Sequence, residues 1–155
     1  MVFKNQKQLE RFLLEKSRLA LLKAQDRVYA IIKQFVRQFY NEYDPVLYDR
    51  TYQLLESLVQ SRIVSDGKGY KAEVYFDLNN IDYVTGAQPL SYQVMEAAKQ
   101  GMHGAIGKIN GVDLKYIDSG AGTGVWDDPK RVLDAEAINI LVDMLRAEGI
   151  PVEKK

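Results

Sequence analysis

His103 is the single histidine of this chain, and that count bounds the chemistry available to it. A Ser-His-Asp relay would have to be built around that one imidazole, and a histidine-rich metal site is excluded by number. Set between Gly101 and Gly104, His103 reads better as a turn or packing contact. Cysteine is absent, which removes thiol nucleophiles, zinc knuckles and disulfides together. Carboxylates are plentiful, and Asp127 with Asp128, or Asp77 with Asp82, are the pairs that could in principle act as general acid and base. Asp127 and Asp128, however, precede Pro129 at the start of a predicted helix, where the helix dipole stabilises negative charge. The run Gly120-Ala121-Gly122-Thr123-Gly124 resembles a phosphate cradle in composition only. It lacks G-x-G-x-x-G and a Lys-Ser/Thr ending, and the next helix begins only near Pro129. A hinge or docking loop is the better reading, because its glycines are costly to order until a partner arrives. No catalytic residue, cofactor or metal is expected, and the chain reads as a non-enzyme.

Periodicity predicts the elements that must carry these residues. From about Asn5 to Tyr40 there is no Pro or Gly, and Leu14, Leu21, Val28 and Phe35 recur at helical steps with Ala24 and Ile31 between them. A helix of that length extends about 50 Å, more than a compact domain of this size covers, so part of it is expected to meet another chain. Asp44-Pro45 marks a second helix start, running to about Gln60 with a break near Arg50-Thr51 and an inner face of Tyr48, Tyr52, Leu55, Leu58 and Val59. Ser61 to Val64 and Tyr70 to Phe76 predict a hairpin around Asp66-Gly67-Lys68-Gly69, with Ala72, Val74 and Phe76 inward. Ser91 to Gln100 predicts a short helix ended by Gly101, and Val112, Leu114 and Tyr116 a third strand. The last helix begins at Asp127-Asp128-Pro129, buries Leu133, Ala137, Ile138, Leu141, Met144 and Leu145, and ends at Gly149 and Pro151. The expected architecture is a single α+β domain, residues 1–155. Its long helix covers about 5–40 and its body about 41–150, with N- and C-terminal helices packed on a small antiparallel sheet. A free sheet face or edge would then be open to a neighbouring subunit.

The chain balances 21 basic against 21 acidic residues, but nine Lys or Arg face three Asp or Glu from Met1 to Tyr40, leaving 12 against 18 beyond. That split predicts a basic and an acidic surface on one molecule. Arg18, Lys23, Arg27, Lys33 and Arg37 are the interface candidates on the long helix. Tyr48, Arg50 and Tyr52 follow from the next segment, and His103 and Trp126 from the two later ones. Ten tyrosines suit either a core boundary or an interface, and Trp126 either anchors the last helix or docks into a neighbour. A small DNA-binding regulator is the rival of another class, since the basic helix could meet phosphates. No helix-turn-helix or base-stacking platform accompanies it. No signal-peptide core or apolar run of membrane-spanning length is present. The chain is expected in the cytoplasm, or assembled there into something released by lysis, with no membrane partner.

Asn41 to Ser57, NEYDPVLYDRTYQLLES, together with Met102-His103-Gly104 and Val125-Trp126, resembles the tailed-phage neck and tail-completion proteins. In that family a long first helix ends at a Pro-containing turn followed by a Tyr-x-Arg-Thr-x-x-Leu segment, here Tyr48 to Leu54. A common variant has glycine after the threonine, where this chain carries Tyr52. The resemblance implies a structural, non-enzymatic virion subunit that forms a ring, six copies being expected, at the head-tail interface. Its partners would be copies of itself, the tail tube and the head connector, with genomic DNA nearby in the channel. A minor capsid or head-closure connector is the alternative within the same class. Head-to-tail ring contacts need two complementary surfaces per copy, which the charge split can supply.

Overall fold

The computed structural model describes residues 3–42, 52–65, 69–81, 84–85, 88–89, 95–96, 98–99, 101, 107–109, 112–114 and 122–153. The chain is α+β. Among the described residues, two long helices, α1 (Gln6–Asn41) and α3 (Asp127–Ala147), come first and last in the chain, with one helical turn, α2 (Gln53–Glu56), eight short strands and the helical residues around Met95 and Ala98 between them. Asn5 caps α1, its Oδ1 accepting the Gln8 amide at 3.0 Å, while the Gln8 side chain accepts from the Lys4 amide at 2.9 Å. Phe3 lies against Phe12, ring centroids 5.2 Å apart, so the helix start is tied down.

The strands form antiparallel ladders of two, not the expected three-stranded sheet. β1 (Leu58–Gln60) is hydrogen-bonded to β4 (Val74–Phe76), and β2 (Val64–Ser65) to β3 (Tyr70–Lys71) with Val64 opposite Lys71. Together they realise the hairpin expected around Asp66 to Gly69. Ala72, Val74 and Phe76 are half-buried while Lys71, Glu73 and Tyr75 are exposed, the period of two that the sequence predicts. Two further hairpins pair β5 (Val84–Thr85) with β6 (Gln88–Pro89), and β7 (Gly107–Ile109) with β8 (Val112–Leu114).

Two helices also depart from expectation. The predicted helix through Gln60 is instead a single turn followed by β1, because Tyr52 sits in left-handed backbone (φ 55) and the chain leaves the helix at Ser57. There the Ser57 hydroxyl donates to the Leu54 carbonyl at 2.8 Å, and the Ser57 carbonyl accepts the Asp77 amide at 2.7 Å, committing the next residues to a ladder. Leu54 and Leu58 are buried, whereas Tyr52 is exposed. Residues 43–51, including the expected helix start at Asp44-Pro45, lie outside the described residues.

The stripe predicted for α3 holds in part: Leu133, Met144 and Leu145 are half-buried, while the rest of it is not. Ile140 is buried while Ile138 is 66% exposed, Leu141 39%, and Ala137 is also exposed. Apolar residues occupy nearly every bearing of this helix, so periodicity alone could not choose the face, and packing chose Pro129 and Ile140. Gly149 ends α3 in left-handed backbone (φ 82), with the Gly149 amide donating to the Arg146 carbonyl and Ile150 to Leu145, the double bond of a Schellman stop.

Contacts divide the chain into two compact units. The first comprises Met1–Tyr29, Gln60–Val74 and Leu133–Lys155, with Ala20, Ala24, Gln25 and Ile140 buried. Here the buried Gln25 amide donates to the carbonyls of Ser61 and Glu73, each at 2.9 Å, fixing α1 to the hairpin. The second comprises Ala30–Val59 and Tyr75–Val132, with a core of Ile32, Val36, Phe39, Leu54, Leu58, Ile81, Met95, Ala98 and Val125. The helical residues Met95 and Ala98 are buried, and Gly101 (φ 75) donates to the Ala98 carbonyl, as expected of a residue that stops a helix.

Candidate interaction surface

No residue between Gln6 and Leu19 is buried, although the helix carries Leu9, Leu13 and Leu14 there, 38%, 38% and 52% exposed. Lys7, Arg11, Leu14 and Arg18 follow one another at steps of four, three and four along one face. With Tyr70 of β3 as a wall, they line an open groove of about 490 Å³. In the same unit Glu148 receives Lys16 Nζ at 3.0 Å and Lys23 Nζ at 2.5 Å, its side chain only 8% exposed. The hydrogen bonds from Lys23, then Lys16, hold its carboxyl below the ordinary carboxylate value and outweigh the desolvation that opposes them. Lys23 therefore serves an internal tether, which its sequence position beside other cations does not reveal.

In the second unit the end of the glycine run is fixed. Thr123 donates its amide to Glu42 Oε2 at 2.6 Å and its hydroxyl to Oε1 at 2.5 Å. The Gly124 amide donates to Asp128 Oδ2 at 2.7 Å, and Asp128 also pairs with Arg131. A Cβ at Gly124 would overlap the Lys99 carbonyl, and one at Gly101 the Gly122 carbonyl, so both glycines permit close backbone approach. Trp126 is half-buried, edge-on to Phe76 with centroids 6.1 Å apart. That contact gives it an anchoring role within its own unit.

A family model described as YomN matches residues 5–147. The chain belongs to the YomN family. No curated protein and no solved structure matches it. In this YomN-family chain Arg18, Arg27 and Arg37 are exposed on α1 and Lys33 is half-buried. Tyr52 is 46% exposed, its ring 5.0 Å from that of Tyr40. Tyr48, Arg50 and His103 lie outside the described residues, as do Asp82 and residues 115–121. Asp77, the other half of one carboxylate pair, accepts from the Asn79 amide at 3.1 Å and caps a short 3-10 turn, Leu78–Asn80. Among the described residues no three acidic or histidine side chains gather as metal ligands, and no helix is long and apolar enough to cross a membrane. Sequence reasoning missed Glu148, Glu42 and the exposed Ile138. The first two act on residues far along the chain, and the third lies on a helix whose face the sequence leaves ambiguous.

Proposed function

We propose that this chain is a structural subunit of a tailed-phage virion that completes the tail and joins it to the head, assembling as a ring at the neck. The observation that carries the reading is the first third of α1, which displays leucines and cations without a buried residue. A solitary globule gains nothing by leaving such a face in water, whereas a subunit uses it to meet a neighbour. The Tyr48 to Leu54 segment, with its resemblance to neck proteins, supports the same reading. The chain acts by binding: Asp128, Asp77 and Thr123 are engaged in local structure. Imaging of assembled particles tests this. Copies confined to one ring between head and tail support it, with six as the expected number. Copies elsewhere, or none, overturn it, and copies on the head side alone favour a head-closure connector.

A further inference from the structure

Burial changes in a step along α1. No residue from Gln6 to Leu19 is buried, whereas Ala20, Ala24 and Gln25 are, followed by Ile32, Val36 and Phe39. The bonds that shape the helix start are all local: Asn5 with Gln8, Lys4 with Gln8, Gln6 with Glu10, and the ring of Phe3 against that of Phe12. Among the described residues, one polar bond reaches from this stretch to a distant part of the chain, from Lys16 Nζ to Glu148 at 3.0 Å. The acid is the fixed end of that bond. Glu148 stands just past α3, its amide donating to the Met144 and Leu145 carbonyls at 3.1 Å each, and Gly149 turns the backbone immediately after it. Its side chain is 8% exposed, against 31% for Lys16 and 52% for Lys23, so the carboxylate is enclosed and the lysines reach it from the solvent side.

We infer that Gln6 to Leu19 form an arm that opens as one piece, with the bond from Lys16 to Glu148 as its latch and Ala20 as its root. The inference goes beyond the neck reading and holds with or without it. Lys16 and Lys23 are two turns apart on one face and lie on opposite sides of the step at Ala20. When Lys16 lets go, Lys23 still neutralises the enclosed carboxylate, so opening does not strand an unpaired charge. A helix as short as the arm is marginal in water by itself, so the opened arm loses its helix and stays tethered at Ala20. Opening costs one ion pair and the packing of the half-buried Phe12, Ser17 and Leu19. The rest of α1 cannot follow without exposing Ala20, Ala24 and Gln25, and with them the bonds from Gln25 to the hairpin.

Amide hydrogen exchange of the full chain, read residue by residue, tests this. The expected profile is a plateau of low protection from Arg11 to Leu19, then a rise of about tenfold or more by Gln25. Ordinary fraying gives protection that climbs smoothly from the helix start, and that profile would overturn the proposal. Lys16→Met keeps the apolar stem and removes the latch. Exchange across the arm should then quicken several-fold, with Gln25, Val36 and Met144 unchanged. Lys23→Met is the control, because it leaves Lys16 without a competitor for Glu148. In that variant the arm should be at least as protected as in the parent. Uniform protection along α1, no response to Lys16→Met, or equal loss of protection in the two lysine variants would each refute the latch.

Discussion

Tyr52 is the described non-glycine residue with positive φ, and such a conformation costs an L side chain about 1–2 kcal/mol. The glycine found there in the variant of the resembled family is the residue that adopts this backbone freely. Tyr52→Gly is therefore expected to be tolerated within about 1 kcal/mol, the relieved strain offsetting the added chain entropy and the lost Tyr40 contact. Tyr52→Val should be the less stable of the two although it is apolar, because β-branching is incompatible with positive φ. Urea midpoints for both variants check the order, and a more stable valine variant would refute the assigned conformation. Glu148 supplies a pH dependence. Its carboxyl is held below the ordinary value, so the unfolded chain binds the proton more readily. The tether's contribution is present above the unfolded value of about 4.3 and is lost as pH falls through the lower folded value. Unfolding titrations of the parent and Glu148→Gln should thus differ at neutral pH and converge in acid. A gap that widens on acidification would contradict the tether.

At the level of elements, the two long helices were legible because uninterrupted periodicity and the Asp127-Asp128-Pro129 start leave few alternatives. The hairpin was legible from its alternation and its glycine turn. What could not be read were the ladders of two or three residues such as Gly107–Ile109, too short to show a period, and the exit from helix at Ser57, which a local bond to Leu54 and a long-range one from Asp77 impose. Of the candidate site, the exposed arginines of α1 were legible, but not the engagement of Lys16 and Lys23 with Glu148, separated by 132 and 125 positions. The attachment of α1 to the hairpin hangs on Gln25. Replacing it by leucine keeps a side chain of similar size but removes both donors to Ser61 and Glu73. A loss of about 1–3 kcal/mol is expected. Hydrogen exchange should show faster opening of the Ser61 amide, which donates to Glu73 at 2.9 Å, with core amides around Val36 little changed.

For the whole molecule, the basic α1 and the acidic remainder are expected to matter in the particle more than in the isolated chain. Reversing Arg18, Arg27 and Arg37 to glutamate changes exposed positions, so the melting temperature should move little. Yield of infectious particles should fall. Fully infectious particles with intact necks would show that these charges do not guide assembly. The pinch at Gly101 and Gly122, where backbone meets backbone, has a practical corollary for such experiments. The chain departs and returns at one anchored point, and Ile109 pairs with Val112, so extra residues spliced between these two lengthen a connection whose ends are already joined, a change that costs little entropy. A reporter epitope belongs there: it would ride on the chain while leaving both long helices as they are, and would let the proposed placement at a phage neck be tested by labelling.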